Sequence, residues 1–571
     1  MAFYLRKLKA FLTPQSIIIT VVILIIGALV LVPFVFLMYG SFFTPAFKGQ
    51  PPQFTFNNYI KAYTDSGSYG LLRNSLYFAI GHTMLAVLLG TFLAWVTERT
   101  NTPGKNLVSL LAMVPLIIPS MLEAIAWIFL LSPKIGLINL AITALFHIEK
   151  SPLNIYSYAG MMWVSGLHWS PFVFLMMAAA FRSMDPSLEE ASLMAGVSRW
   201  ITFRKITLKL ALPATSAAVL IMFVRGLELF ETPALIGLPA GIQVFTTKIF
   251  LAVRRYPSEL GLAASYSTIL MIVTTLLIYQ YNRMLRHTGR YATITGKAYR
   301  GRVMDLGPWR YATAAVIVLY FFIVIGLPLS VLIWNSLLRY YQAPSMQALG
   351  TVSLRNYIFL FKDQTVLHAL KNSVMLSTGC ATMVMLLTAV AAWFIQKTRV
   401  KGRWLLDIFI SLPMTFPGLI MGVSLIWAYS VIPLPIYGTI WILLIAYSTR
   451  YLPYGMRNAA AAMAQITSEL EEASQTSGVS WWITFSRIIL PLLKPGLLAG
   501  WLYVVMVSIK ELSSSLLLYS HGSEVVSIII WEYWENGLFN EVSALGVLLL
   551  MGLMILSVIA DRIAARYGIK H

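Results

Sequence analysis

Charged residues and cysteine are scarce in this 571-residue sequence. Asp, Glu, Lys and Arg make up only 11% of the chain, whereas a soluble globular protein carries about 25%. The single cysteine, Cys380, lies in an apolar run, so it forms no intrachain disulfide and is interpreted as a packing residue. The seven histidines are scattered, without the spacing of a zinc site. Gly104-Lys105 and Gly296-Lys297 lack the surroundings of a phosphate-binding loop. We therefore expect no catalytic domain, no bound metal and no bound cofactor in this chain.

Hydrophobic residues make up 58% of the chain, and apolar runs of membrane-spanning length recur along it. This pattern predicts an all-α integral membrane protein. The net charge is +20, but the basic residues lie between apolar runs and form no soluble basic face, so we expect no nucleic-acid partner. Arg6, Lys7 and Lys9 precede the first apolar run without a cleavage site, which predicts an uncleaved first span.

Twelve spans are predicted, six in each half of the chain. They lie near 17–39, 75–96, 107–131, 157–180, 212–232 and 261–281, and near 312–334, 372–395, 404–429, 436–460, 492–518 and 542–560. The predicted domains are residues 1–290 and 312–571, joined by a basic linker at 291–311.

The two halves are tandem repeats in the sequence. Residues Glu189–Phe203 (EEASLMAGVSRWITF) recur as Glu471–Phe485 (EEASQTSGVSWWITF). Other pairs recur at a nearby offset, and they are Asn58 with Asn356, Asn74 with Asn372, Trp95 with Trp393, and Pro119 with Pro417. A period this long indicates a duplicated domain, because solenoid repeats recur every 20–50 residues or so. The first half is longer between Pro119 and Glu189, and we expect the insertion near 132–156.

Each copy of the repeated stretch predicts two short helices joined by a glycine turn at Gly196 or Gly478. Such a polar segment with an aromatic cluster is typical of a small docking knob. The alternative is a pair of surface loops that kept their sequence after duplication. Lys and Arg are more than twice as frequent on the side of the N-terminus, which predicts cytoplasmic termini and cytoplasmic knobs.

The repeated stretch resembles the EAA signature of membrane subunits of bacterial ABC importers. It reads Glu190-Ala191-Ser192 to Gly196, and Glu472-Ala473-Ser474 to Gly478. The second copy continues to Leu490-Pro491, as the signature does, whereas the first has Leu208-Lys209. The resemblance implies a type I importer permease, most like the permeases for ferric iron. Thiamine, phosphonate or polyamine is the alternative solute.

The resemblance also implies the partners and the site residues. A homodimer of ABC ATPase subunits, carrying ATP and magnesium, would hold coupling loops 182–211 and 461–491. A periplasmic binding protein would deliver the solute. The chain itself would be a non-catalytic subunit in the bacterial inner membrane. The coupling residues would be Glu189, Glu190, Ala191, Gly196, Trp200 and Phe203, with Glu471, Glu472, Ala473, Gly478, Trp482 and Phe485.

Charged residues inside predicted spans are costly and are candidate functional groups. Five follow the knobs, namely Arg225, Glu228, Glu231, Lys510 and Glu511. They are predicted to line the translocation path, with structural ion pairs such as Arg225 with Glu228 as the alternative. Glu123 is isolated in its span, and His82 and His168 are interpreted as packed or hydrogen-bonded residues rather than ligands. Two rival classes remain open, an ion-coupled secondary transporter and a membrane scaffold without transport.

Overall fold

The computed structural model describes residues 14–44, 51–64, 66–184, 187–288, 304–398, 402–467 and 469–566. Within these ranges the chain is helical, with two isolated bridges and no strand. Arg6, Lys7, Lys9 and most of the predicted linker 291–311 lie outside them.

The helices of the first half are long spans joined by short helical turns. Its α-helices are Pro14–Phe42, Asn57–Thr64, Ser66–Arg99, Lys105–Leu111, Met113–Ile117, Ser120–Leu131, Leu137–Phe146, Tyr158–Ser183, Ser187–Met194, Arg199–Thr202, Leu208–Glu228, Phe245–Arg254 and Leu260–Thr288. Its π and 3-10 turns are Phe203–Thr207, Pro233–Gly237 and Leu238–Ala240.

The second half repeats this order with few differences. Its α-helices are Trp309–Phe321, Leu327–Ser336, Met346–Leu349, Arg355–Lys362, Gln364–Lys397, Arg403–Ser411, Gly418–Val431, Ile440–Ala464, Glu469–Thr476, Trp481–Thr484, Leu490–Ser508, Ser515–Leu518, Val526–Glu535 and Phe539–Arg566. Its π and 3-10 turns are Phe322–Gly326, Leu412–Thr415 and Phe485–Ile489.

Nine helices among the described residues are long and apolar enough to cross a membrane, or up to twelve spans if each of three bent pairs is counted as one. The segments predicted as spans near 107–131 and 404–429 are both bent. These segments bend by 94° and 110° at a break, where Pro119 and Pro417 adopt extended backbone ahead of the next helix. Proline has no N–H to donate and clashes with a continuing helix, so each break falls at a proline.

The set of spans also differs from the prediction. Residues 233–254, left outside the predicted spans, form the third bent pair, with an angle of 84°. The helix at 492–518 ends at Ser508. Helix Ile440–Ala464, near predicted span 436–460, is not among the nine apolar helices. It carries Arg450 and Arg457, which make it more polar than its neighbours.

The duplication is visible in matched hydrogen bonds. The Asn58 side-chain amide donates to the carbonyls of Ser41 and Phe43, and that of Asn356 donates to the carbonyls of Ser336 and Leu338. One residue later, Tyr59 and Tyr357 donate to Ser41 and Ser336 through their hydroxyls. Residues that repeat in the sequence therefore hold equivalent joints in the two halves.

The extra length of the first half lies where it was expected. Helix Leu137–Phe146 occupies the connection between Leu131 and Tyr158, and the corresponding connection between Val431 and Ile440 has no such helix. Buried Asn139 fixes it by donating to the carbonyls of Leu131, Ser132 and Leu153.

The first span of each half packs against the other half. Helix Pro14–Phe42 contacts Gly418–Val431, and the Thr449 hydroxyl donates to the carbonyl of Leu29 at 3.0 Å. In return, the hydroxyl of Tyr320 lies 2.7 Å from that of Ser170. This exchange joins the halves into one buried core.

Candidate functional site

Each knob is a short helix ended by a left-handed glycine. In the first knob (residues 187–207), Gly196 has φ 77°, and the N–H of Val197 donates to the carbonyl of Ser192 at 3.2 Å. In the second knob (residues 469–489), Gly478 has φ 72°, and the N–H of Val479 donates to Ser474 at the same distance. This bond to the fifth preceding residue, made just after a glycine with positive φ, is the Schellman ending of a helix.

A hydroxyl pair joins the two helices of each knob. The hydroxyls of Ser192 and Thr202 lie 2.9 Å apart, and those of Ser474 and Thr484 lie 2.7 Å apart. Sequence analysis gave these threonines no role, although they are identical in both copies. Their identity was the available signal, because a polar residue retained at both copies of a turn fixes that turn.

The first glutamate of each motif faces the protein itself. Glu189 accepts from the Thr207 hydroxyl at 2.6 Å and lies 3.6 Å from the Arg99 guanidinium. Glu471 is buried and accepts from the Trp393 indole N–H at 3.3 Å. Burial raises the pKa of the Glu471 carboxyl, and the charge of Lys397 and the Trp393 hydrogen bond oppose that shift.

The ends of the spans before the knobs are held in matched ways. The Arg99 side chain donates to the carbonyl of Met184 at 3.3 Å, and the Lys397 ammonium donates to that of Ile466 at 2.5 Å. Each basic residue therefore fixes the chain where it enters a knob.

The second glutamate and the tryptophans of each motif are more accessible. Glu190 is half-buried and Glu472 is exposed, as are Ala191 and Ala473. Trp200 is 69% exposed and Trp482 is 54% exposed. Each knob therefore offers a large aromatic ring beside a carboxylate, together with exposed apolar residues such as Met194.

The phenylalanines of the motifs lie on the inner side of the knobs. Phe203 packs on Trp95 with ring centroids 4.9 Å apart, and Phe485 packs on Trp393 at 5.8 Å. These rings attach the first knob to helix Ser66–Arg99 and the second knob to helix Gln364–Lys397.

The five predicted membrane charges lie close to the boundary between the halves, but they do not form one cluster. Arg225 is paired with Glu228 at 3.1 Å, as the structural alternative predicted. Its other amino group donates to the Tyr454 hydroxyl of the second half at 2.8 Å, and its guanidinium lies over the Trp169 ring.

Glu511 has different partners from its counterpart Glu228. It accepts from Arg450 at 2.9 Å, from the Tyr451 hydroxyl at 2.8 Å and from the backbone N–H of Ser514 at 3.1 Å. The two carboxylates occur at similar places in the repeats, but one pairs within its own helix and the other with the preceding span.

Two further charges link the halves through uncharged partners. Glu231 accepts from the Ser513 hydroxyl at 2.9 Å, and the Lys510 ammonium donates to the carbonyl of Leu116 at 2.5 Å. Both side chains line a cavity of about 20 Å³ together with Ser120 and Ser527. A cavity of this size has room for a single water molecule.

Glu123 is the single charged residue of its predicted span, but it has a partner on another helix. Its carboxylate lies 2.5 Å from the Nδ1 of His168, and both side chains are buried. The two residues belong to different helices, 45 positions apart, so sequence spacing gave no signal of the pair. His82 is also fully buried, as expected for a packed residue.

Sequence analysis missed Arg450, Tyr451 and Tyr454 as partners of the predicted charges. All three lie on helix Ile440–Ala464, where they occur at helical spacing. Within the described residues, no group of three or more His, Cys, Asp or Glu side chains is placed to hold a metal ion.

The chain is similar over most of its length to two iron-transport permeases. It is 26% identical over 498 residues to the ferric transport system permease protein FbpB of Actinobacillus pleuropneumoniae, covering 86% of this chain and 70% of that protein. It is 25% identical over 488 residues to the Fe(3+)-transport system permease protein FbpB 2 of Haemophilus influenzae, covering 84% and 87%. The putative 2-aminoethylphosphonate transport system permease protein PhnV of Salmonella typhimurium matches 34% of this chain at 28% identity and is covered over 72% of its length.

Among solved structures, a bacterial alginate ABC transporter in complex with a periplasmic protein matches 45% of this chain and 94% of its own, with 19% identity and a TM-score of 0.35. The family model described as binding-protein-dependent transport system inner membrane component matches two segments, 86–287 and 384–568. These segments make up more than half of the sequence and carry one knob each. The chain therefore belongs to the family of inner membrane components of binding-protein-dependent transport systems.

Proposed function

We propose that this permease imports ferric iron handed over by a periplasmic binding protein, and that two ATPase subunits drive it by holding its two knobs. The two knobs share helix bounds, glycine turn, hydroxyl pair and exposed tryptophan, and this equivalence carries the proposal. A dimer of identical subunits offers two equal grooves and requires two equal surfaces. The chain itself would bind no nucleotide, and ATP with magnesium would lie on the ATPase subunits.

The exposed face of each knob supports docking. Large aromatic side chains that become buried in a pocket often dominate the energy of an interface, and Trp200 and Trp482 are both exposed beside a glutamate. Burying either ring would remove apolar surface from water, and Glu190 and Glu472 could meet basic groups of the partner.

Cysteine cross-linking tests this docking and the orientation together. Cys380 is buried and can be replaced by alanine, so that single cysteines at Ser198 and Ser480 report on the knobs. We expect both to cross-link to the co-purified ATPase subunit and to react with maleimide only from the cytoplasmic side. Ser353, an exposed residue of the loop before helix Arg355–Lys362, is the matched control and should react only from outside. Knob cysteines that react from outside would overturn the proposal.

The iron assignment rests on the two ferric transport relatives, each of which aligns with more than four fifths of this chain. The phosphonate relative aligns with about a third. Uptake of radiolabelled ferric iron into proteoliposomes that hold the complete transporter is the direct measurement. We expect vanadate to stop uptake and an uncoupler to leave it unchanged. Uptake of 2-aminoethylphosphonate without iron would instead assign the alternative solute.

The translocation path is proposed to pass between the halves, beside Arg225, Glu228, Glu231, Lys510 and Glu511. Arg225, Glu231 and Lys510 each make a hydrogen bond across that boundary, so movement of one half against the other must break these bonds. We expect Glu231→Gln to reduce uptake while the assembled complex persists. The matched control is Arg254→Gln, which removes an exposed ion pair between the halves, with Glu535 at 2.5 Å. If Glu231→Gln supports the same uptake as Arg254→Gln, Glu231 does not belong to the translocation path.

A further inference from the structure

A large apolar groove lies on the first half, between helices Ser66–Arg99 and Leu208–Glu228. Its volume is about 880 Å³. The lining side chains are mostly apolar and include Met84, Leu88, Trp95, Phe203, Val219 and Phe223. Met84 is 68% exposed and Val219 is 42% exposed, so the groove opens away from the protein core.

The groove is longer than the hydrocarbon part of one leaflet is thick. Its lining runs from Ile80 to Trp95 along one helix, which is about 22 Å at 1.5 Å per residue. One leaflet contributes about half of a hydrocarbon core roughly 30 Å thick. One acyl chain can therefore lie along the groove from the middle of the membrane to the knob.

The knob end of the groove is basic. Trp200 and Phe203 of the first knob line this end. Arg204, Lys205 and Lys209 follow in the next turns, and all three side chains are exposed. Basic residues near a membrane surface attract anionic lipid head groups.

The second half provides an internal comparison, because the corresponding place is filled. Val219 corresponds to Trp501 and Met84 corresponds to Thr382. The Trp501 indole N–H donates to the Thr382 hydroxyl at 3.0 Å, which joins Gln364–Lys397 to Leu490–Ser508, the counterparts of the two helices that border the groove in the first half.

The basic residues differ between the halves in the same sense. At the positions of Arg204, Lys205 and Lys209, the second half has Ser486, Arg487 and Pro491. At these three aligned positions the half with the open groove therefore has three cations and the other half has one, although exposed Lys494 adds a second cation three residues further on.

We propose that the groove binds one acyl chain of an anionic phospholipid of the cytoplasmic leaflet, with the lipid phosphate held by Arg204, Lys205 and Lys209. The proposal rests on the cytoplasmic orientation of the knobs given above, but not on the transported solute. Because Trp200 and Phe203 belong to both the groove and the first knob, the bound lipid would fix that knob against its span. In the second half the hydrogen bond between Trp501 and Thr382 joins the corresponding helices without a lipid.

Photo-cross-linking to the purified full-length permease tests the site. The probe is phosphatidylglycerol with a photoreactive acyl chain, in nanodiscs, and labelled peptides are mapped by mass spectrometry. We expect labelling of residues 80–95 and 200–223 to exceed that of the corresponding second-half helices at least fivefold. Val219→Trp with Met84→Thr, which copies the second-half pair, should reduce this labelling at least fivefold. Val318→Trp is the control, since Val318 is exposed on another span and should change nothing.

The charge requirement has its own arm. Replacing Arg204, Lys205 and Lys209 by glutamine should reduce labelling by phosphatidylglycerol to the level seen with a phosphatidylcholine probe. Arg487→Gln is the matched control in the second half. Equal labelling of the two halves, or labelling that the groove-filling variant leaves unchanged, would mean ordinary boundary lipid and would overturn the proposal. Equal labelling by the two probes in the unmodified chain would overturn the role of the basic residues.

Discussion

Replacing Glu511 by glutamine should destabilise the permease more than the same change at Glu228. The Glu511 carboxylate accepts hydrogen bonds from the Arg450 guanidinium, the Tyr451 hydroxyl and the Ser514 backbone. Its side chain is 6% exposed and that of Arg450 is 23% exposed. Glutamine keeps one acceptor oxygen but places an N–H₂ group among donors, and it leaves the cation without a counter-charge.

The expected magnitude follows from the burial of this pair. Removing one partner of a buried ion pair costs roughly 3–5 kcal/mol because the other charge stays buried. The partial exposure of Arg450 places Glu511→Gln near the lower end, at about 3 kcal/mol, which is about a hundredfold in the folded-to-unfolded ratio. Glu228→Gln should cost about half as much, since Arg225 keeps the Tyr454 hydroxyl and the Trp169 ring.

Equilibrium unfolding in mixed dodecyl sulfate micelles measures both changes on the full chain. A double-mutant cycle with Arg450→Gln separates the pair from its surroundings, and the double variant should cost at least about 1 kcal/mol less than the sum of the single ones. Costs that add without this difference would refute the reasoning. A cost below about 0.5 kcal/mol for Glu511→Gln would refute it as well.

Two predictions concern the knobs. Gly196→Ala and Gly478→Ala should each destabilise their knob by about 1–2 kcal/mol. The φ values of 77° and 72° are strained for alanine, and an added Cβ meets no atom within 4 Å, so only backbone strain contributes. Hydrogen exchange of the knob amides should accelerate in both variants, whereas Gly70→Ala, also in open space, should leave it unchanged. The raised pKa of Glu471 means that the folded knob holds a proton that the unfolded chain releases near the ordinary value of 4.5. The bound proton therefore stabilises the second knob below pH 4.5, and this stabilisation is lost as the pH rises through the folded-state pKa of Glu471. Amide protection in the second knob, corrected for intrinsic exchange, should fall as the pH rises through this window. In Glu471→Gln the protection should not depend on pH there.

The knobs could be predicted from the sequence because their signal is local. A glycine after a short run of helix-forming residues indicates a helix end, and its recurrence in the second half removed chance as an explanation. The structure places a positive φ at both Gly196 and Gly478. The residues that hold each knob inward, such as Thr207 with Glu189, depend on how the following helix folds back, and no pattern in the sequence expresses that contact.

The broken spans were missed for a different reason. Hydropathy reports how apolar a segment is, but it does not report whether the helix axis changes direction within that segment. Residues 107–131 and 404–429 are mostly apolar, so each was predicted as a span, and hydropathy did not show that Pro119 and Pro417 mark breaks in them. The partners of the membrane charges depend on contacts between distant helices, as for Glu123 with His168, and only the fold supplies them.

The two halves are alike at the knobs and differ inside the membrane, and the proposed partners would account for this difference. Two identical ATPase grooves would impose the same requirements on both knobs, so a change in one copy would weaken one of two equal contacts. On the proposed path between the halves a single solute would pass at a time, so the two surfaces that line the path need not be equal. Divergence is then permitted at His168 and Arg450, which occupy corresponding positions and pair with Glu123 and Glu511 from different elements. The lipid-facing surface is free in the same way, as Val219 and Trp501 illustrate.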